Sequence, residues 1–283
     1  MSKLSTSTGI FLIGVLLLGS SCASEKDHLV TLSTEHGTMY AILYEETPAH
    51  KENFIRLAES GRYDSTEFHR IIPDFMIQGG DVFSKEDLPQ EEWYTLPAEF
   101  HPDLIHERGS LAAARQGDQM NPERRSSGCQ FYVVEGRVYE EAPLTTDMNK
   151  LQQVFFQYMQ LESNVGLKET YRRLYAKQEI DSLNALMLSK KVVLEQFFNV
   201  NLGLSRRENQ IQAYTTVGGT PHLDDTYTVF GRVIHGLEVI EKISRLETDQ
   251  NNKPITPVYI HVDVELVAKK KITEEYGYTY PEE

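Results

Sequence analysis

Apolar and polar residues follow three different rhythms along this chain. Up to about residue 136 the apolar positions come in short runs broken by Gly, Pro and polar loops. Leu29 to Tyr44 holds two β-rich segments around Glu35, His36 and Gly37, which predicts a hairpin whose glycine supplies the turn conformation. Thr47 followed by Pro48 starts a helix and Gly61 stops it, with Phe54, Leu57 and Ala58 facing inward. Strand-like runs follow at Phe68 to Ile72, Met76 to Gln78, Gly109 to Ala114 and Gln130 to Val134. That spacing predicts an all-β barrel with few helices.

The rhythm lengthens from about Asp147 to Tyr214, where proline and glycine nearly vanish. Leu151, Val154, Phe155, Tyr158 and Met159 recur at i, i+3, i+4, i+7 and i+8, the stripe of an amphipathic helix. Leu183, Leu186, Met187, Leu194 and Phe197 suggest a second stripe, and Ser205 to Glu208 (SRRE) has capping-box spacing. Residues 137–214 are therefore expected to form an inserted α-helical subdomain of two to four helices. Connections in compact domains are usually a few residues long, so an insertion of this size calls for a reason. The β rhythm returns at Gly218, with strands at Tyr227 to Ile234 and Val258 to Val267 flanking a short helix around Leu237 to Ser244. Residues 269–283 read as an acidic tail.

Residues 1–21 read as a secretory signal. Lys3 precedes an apolar run, Ile10 to Gly19, that is too short for an ordinary transmembrane helix. Ser20 and Ser21 then lead into Cys22, the arrangement at which lipoprotein signals are processed and the cysteine thiol is lipidated. Lipidation of Cys22 would hold the mature chain on a membrane surface, each buried methylene contributing about 0.8 kcal/mol. Residues 22–28 are then a linker, and no later stretch is apolar enough to span a bilayer. The expected location is the bacterial cell envelope, lipid-anchored on the periplasmic face of the outer membrane.

The formal charge of −14 excludes a phosphate-backbone binder, so no nucleic-acid partner is expected. Cys22 and Cys129 are the two cysteines and stand in different contexts, which excludes an internal disulfide framework. The histidines show no paired spacing that would hold a metal.

Four stretches occur in a telling order: FHRIIPDFMIQGGD (Phe68 to Asp81), GSLAAAR (Gly109 to Arg115), CQFYV (Cys129 to Val133) and LDDTYTVFG (Leu223 to Gly231). Together they resemble the cyclophilin family of peptidyl-prolyl cis/trans isomerases, across most of residues 29–135 and 215–268. The resemblance implies a mainly β fold: a closed eight-stranded cyclophilin-like β-barrel with capping helices, spanning 29–268 and interrupted by the helical insertion. It also implies a groove on the outer face that binds proline-containing, unfolded or partly folded polypeptides, with no cofactor.

Isomerisation of an X-Pro amide sacrifices resonance at the twisted transition state, an intrinsic barrier of roughly 18–20 kcal/mol. A catalyst needs a donor aimed at the prolyl nitrogen and an apolar hollow that holds the ring. By resemblance, Arg70 is the catalytic arginine and Gln78 the glutamine that orients it and binds substrate backbone. Phe75, Met76, Tyr132 and Leu223 fall on the family's proline-pocket positions, and Ala114, Arg115 and Gln130 on positions that bind the flanking residues. His222 stands where many eukaryotic members have tryptophan, and Tyr227 where they have a histidine in the pocket wall. Tyr132 replaces a phenylalanine, adding a hydroxyl that needs a partner if buried.

Isomerisation transfers no proton, so His69 beside Arg70 reads as structural, and Cys129 reads as a small packed side chain. The rival reading is a noncatalytic cyclophilin-like peptide-binding or chaperone module that uses the helical insertion. Degenerate members commonly lose the arginine, and the presence of Arg70, Phe75, Met76 and Gln78 favours the enzyme.

Overall fold

Strand pairing builds the barrel that carries the rest of the chain. In the computed structural model, which describes residues 25–281, β1 (Lys26–Thr34) and β2 (Gly37–Leu43) form the expected hairpin around Glu35 and His36. Gly37 sits at φ +135°, and a Cβ there would come within 2.8 Å of the Val239 side chain, so backbone and packing both require glycine. The next strands are β3 (Thr66–Ile72), β4 (Met76–Gly79), β5 (Thr95–Leu96), β6 (Ser110–Ala113), β7 (Ser126–Ser127) and β8 (Phe131–Val134). β9 (Val229–His235) and β10 (Tyr259–Ala268) complete a closed barrel in the order β1-β10-β3-β4-β8-β6-β9-β2, all pairs antiparallel. Closure leaves the barrel itself without an unpaired edge among the described residues. The short β5 and β7 pair separately.

Strand alternation divides the side chains. Phe131 and Val133 of β8, Leu111 and Ala113 of β6, and Ile77 of β4 enter the barrel core. Tyr132, Val134, Ala112 and Met76 belong to a second apolar cluster on the outside. Helix α1 (Pro48–Glu59) covers the core with Phe54, whose ring lies 5.0 Å from Tyr63 and 5.6 Å from Phe131 and Phe230. The sequence signal for its start is Thr47 and Pro48, yet the Thr47 side chain makes no cap. The distant Glu99 carboxylate accepts from the backbone N–H of Ala49 and of His50, each at 3.1 Å. A one-turn helix, α2 (Val82–Lys85), is capped by Asp81, which accepts from Ser84 N–H at 3.2 Å.

Between β8 and β9 the described residues build six α-helices where two to four are expected, because turns split the apolar stripes into short segments: α3 (Glu141–Leu144), α4 (Met148–Met159), α5 (Val165–Ala176), α6 (Ile180–Leu188), α7 (Lys191–Phe198) and α8 (Glu208–Thr216). They enclose a core of their own from Leu151, Val154, Phe155, Met159, Met187, Leu194 and Leu202. The second predicted stripe is broken: the chain turns at Ser189 and Lys190, and Phe197 is 57% exposed. The expected capping box is displaced as well. Arg207 is the N-cap of α8, and Gln210 Oε1 accepts from its N–H at 3.2 Å. Helix α9 (Leu237–Ser244) returns to the barrel, burying Val239, Ile240 and Ile243.

Two boundaries differ from the expectation. The linker expected over 22–28 gives way to strand from Lys26, because β10 is long enough to pair with it through Ala268. The acidic tail expected over 269–283 begins with a docked helix, α10 (Lys269–Tyr276), whose Ile272 is fully buried against Leu29 and Ile42. Tyr276, Tyr278 and Tyr280 pack into the same cluster, and the Tyr280 hydroxyl donates to Asp27 at 3.2 Å. The misleading carboxylates, Glu274 and Glu275, pair with Lys270 and Lys271 on the exposed face. Cys22 and the leader lie outside the described residues, as do residues 282–283. Among the described residues no helix is long and apolar enough to cross a membrane.

Candidate active site

Plain alternation along β3 would put Phe68 and Arg70 on one face. Instead the β3–β4 register shifts between them: Phe68 faces Gly79, Arg70 faces Gln78, and His69 takes up the bulge. Phe68 and Ile71 enter the core, while Arg70 emerges beside Gln78. Its guanidinium donates to Gln78 Oε1 at 3.2 Å, and Gln78 Nε2 donates to Gln130 Oε1 at 3.1 Å. The amide of Gln78 is thus fixed at both ends, and it fixes the arginine. Gln78 also faces Tyr132 across the β4–β8 ladder, so Arg70, Gln78 and Tyr132 sit abreast on three neighbouring strands.

The surface cluster beside them is apolar. Met76, Ala114, Tyr132 and Leu223 are buried in the outer cluster, with Phe75 and Tyr227 packed against it. Phe75 is carried by a tight turn in which Asp74 adopts φ +59°. The buried Glu135 carboxylate accepts from Asp74 N–H at 2.7 Å, and the Phe75 carbonyl accepts from the N–H groups of Glu135 and Gly136, each at 3.0 Å. His222 is exposed and stacks on Phe75, with ring centroids 5.6 Å apart. The surroundings of Arg115 differ from those expected of a peptide-binding arginine. Its side chain is 5% exposed, and it donates to the Thr226 carbonyl (2.7 Å) and the Gln116 carbonyl (2.9 Å). The guanidinium also pairs with Asp118 and lies 4.4 Å from the Tyr227 ring centre. With its donors engaged, it braces the loop that bears Leu223 and Tyr227.

The Tyr132 hydroxyl finds a partner that sequence reasoning missed. It lies 2.9 Å from Nε2 of His106, whose Nδ1 lies 3.1 Å from Asp224. A carboxylate only accepts, so Nδ1 carries the hydrogen of the neutral ring, Nε2 accepts, and the Tyr132 hydroxyl donates to it. The tyrosine therefore turns its hydrogen toward His106. Burial pushes the Tyr132 phenol well up, with Tyr227 and Asp224 adding to it. The signal available in the sequence was Tyr132 itself, a buried hydroxyl with no named acceptor.

Burial also lowers the His106 and His50 imidazoles below the usual 6.5, against the opposing pull of Asp224 and Glu99. The folded chain then binds fewer protons than the unfolded chain. Stability is complete above about pH 6.5 and falls as pH drops from there toward the folded-state values, by at most about 1.4 kcal/mol per pH unit for each ring. Urea midpoints measured between pH 7.5 and 5.5 are expected to fall. A flat profile would mean the two rings accept protons without loss of the fold. His69 is likewise lowered by burial, as befits a bulge residue, and Cys129 is raised by burial, which leaves it a poor nucleophile.

The closed barrel thus carries a clamped guanidinium beside an apolar cluster on its outer face. The model of the cyclophilin type peptidyl-prolyl cis-trans isomerase/CLD family matches residues 29–156 and 197–264. The chain belongs to that family and is a peptidyl-prolyl cis-trans isomerase. A Staphylococcus haemolyticus protein named as a peptidyl-prolyl cis-trans isomerase is 28% identical over 240 residues, covering 83% of this chain and 90% of that one. A Streptococcus pyogenes protein named as a bifunctional phosphatase/peptidyl-prolyl cis-trans isomerase is 29% identical over 236 residues. The match covers 82% of this chain and 37% of that longer relative. Among solved structures, a cyclophilin type isomerase of Cryptosporidium parvum aligns over 85% of this chain and 98% of its own, with 18% identity and a TM-score of 0.49.

Proposed function

We propose that the isomerase acts on X-Pro bonds of exported polypeptides and assists their folding at the cell envelope, anchored through Cys22. The observation that carries the site assignment is the bulge at His69, which turns Arg70 to the outer face, where Gln78 and Gln130 hold it beside the apolar cluster. In this reading Phe75, Met76, Tyr132 and Leu223 receive the prolyl ring, Ala114 lies beside a flanking residue, and His222 and Tyr227 form the wall. Gln78 and Gln130 bind flanking backbone. The Arg70 guanidinium, always charged and rich in donors, meets the prolyl nitrogen as its lone pair leaves resonance. A group that binds the twisted amide better than either planar isomer accelerates both directions equally.

Support for the export reading comes from the leader and from Ser20, Ser21 and Cys22. Two measurements test it. The chain starting after Cys22 should speed the refolding of an exported, proline-limited client, and the full chain should carry acyl mass at Cys22 that a Cys22→Ala variant lacks. An unmodified Cys22 in the native host would end the anchor reading.

A chaperone contribution from the helical insertion has an observation of its own: Ile180, Val192, Val193 and Phe197 are all exposed there. Serine at Val192 and Phe197 should weaken suppression of client aggregation while leaving peptide isomerisation intact.

A further inference from the structure

The Asp224 carboxylate, next in the chain to the pocket residue Leu223, is almost entirely enclosed and gathers donors from two directions. From the barrel side, Oδ1 accepts from the His106 backbone N–H at 3.0 Å and from the His106 ring at 3.1 Å. From the inserted segment, the Tyr214 hydroxyl lies 2.7 Å from both carboxylate oxygens, Gln210 Nε2 donates to Oδ2 at 3.4 Å, and the Arg206 guanidinium is 3.8 Å from Oδ2. Arg206 further donates to the Pro221 carbonyl at 3.5 Å, just before His222. Tyr214 is fully buried. One continuous chain of hydrogen bonds therefore runs from helix α8 through Asp224 and His106 to the hydroxyl of Tyr132.

Each link restricts the next. The Tyr214 hydroxyl fixes the carboxylate, the carboxylate holds Nδ1–H of His106, and that tautomer leaves Nε2 as the acceptor that orients Tyr132. The rings reinforce the order: His106 and Tyr132 lie near parallel at 14°, and Tyr227 meets both edge-on at 86° and 81°.

We propose that Tyr214 is a positioning residue of the isomerase site, so that the end of the helical insertion sets the affinity of the proline pocket by acting through Asp224 and His106 on Tyr132. This rests on the proline-pocket reading of Tyr132 and Leu223. Helix α8, which returns the chain from the insertion to the barrel, is then a working part of the enzyme.

The test is a double-substitution cycle on the chain starting after Cys22, using Tyr214→Phe and Tyr132→Phe, each of which removes one hydroxyl and keeps the ring. Isomerisation of a short Ala-Pro-containing peptide gives kcat and KM, and a fluorescence titration with the same peptide gives a dissociation constant independent of turnover. Tyr214→Phe should raise KM and the dissociation constant about three- to tenfold, with a smaller change in kcat. In the Tyr132→Phe background the same substitution should change either by less than about twofold, because the link through which it acts is gone. A purely structural Tyr214 would lower the melting temperature and leave peptide affinity unmoved, which overturns the proposal. Equal effects in both backgrounds also overturn it, since Tyr214 would then act by another route. Should Tyr214→Phe fold poorly, Gln210→Ala removes a weaker donor to the same carboxylate and should show the same pattern at smaller size. If wild-type protein neither isomerises nor binds the peptide, the pocket reading itself falls, and the positioning role falls with it.

Discussion

Arg70→Ala should lose isomerase activity by roughly 10²- to 10³-fold in kcat/KM, the loss typical of deleting a single preorganised donor from a transition state. The substitution leaves little else disturbed. Arg70 is partly exposed, its guanidinium donates to the Gln78 side-chain oxygen, and the barrel ladder around it runs through backbone groups. The melting temperature is therefore expected to stay within a few degrees of wild type. Arg70→Lys should recover little, because an ammonium on a flexible stem lacks the rigid planar fork that lets one guanidinium nitrogen hold Gln78 while another faces the prolyl nitrogen. Peptide isomerisation rates for the three proteins decide the matter. Near-wild-type activity in Arg70→Ala would place the catalytic donor elsewhere.

Much of that argument was legible in the chain. The run FHRIIPDFMIQGGD places Arg70 and Gln78 eight residues apart, and period-two strands meeting in a hairpin could be expected to bring them together. What alternation alone gets wrong is the face: it sends Arg70 inward with Phe68, and only the bulge at His69 reverses this. A bulge is settled by tertiary register, to which no short window of sequence responds. The same limit hides His106, Asp224 and Tyr214. Tyr132 announced an unmet hydroxyl, but its acceptor is 26 residues away and the next link 118 residues beyond that one. Glu99 capping α1 from 50 residues away is a third instance.

Burial at the C-terminus was illegible for a different reason. Average charge over 269–283 describes a solvated tail, whereas a single helical turn separates Ile272 from Tyr276 and puts both on one face. Composition sees the exposed Glu274 and Glu275, and periodicity sees buried Ile272 and half-buried Tyr276 on the inward face. Where a segment is short, the two disagree, and periodicity is the better guide to packing.

Removing residues 269–283 should accordingly produce the largest loss of stability of any truncation outside the barrel strands. Full burial of Ile272 contributes about 1.5–3 kcal/mol by apolar area. The Tyr276 ring, 4.6 Å from Tyr40, adds about 0.5–1.5 kcal/mol. The Tyr280 hydroxyl on Asp27 adds the worth of a charge-assisted bond, and Lys269 N–H donates to the Glu25 carbonyl at 2.8 Å, tying the two ends of the chain together. The entropy cost of ordering the segment offsets part of these contributions and leaves about 3–5 kcal/mol, a large share of the 5–15 kcal/mol usual for a domain. It corresponds to a fall in melting temperature of roughly 6–20 °C for a chain of this size. Ile272→Ala alone should give about half of that, because it opens a cavity under a helix still held by its tyrosines. Calorimetry on the chain starting after Cys22, the truncation and the single variant measures all three. If the truncation melts within about 2 °C of the intact chain, α10 is only loosely attached. The Leu29, Ile42 and Tyr40 surface must then tolerate exposure, leaving the barrel itself to carry the stability.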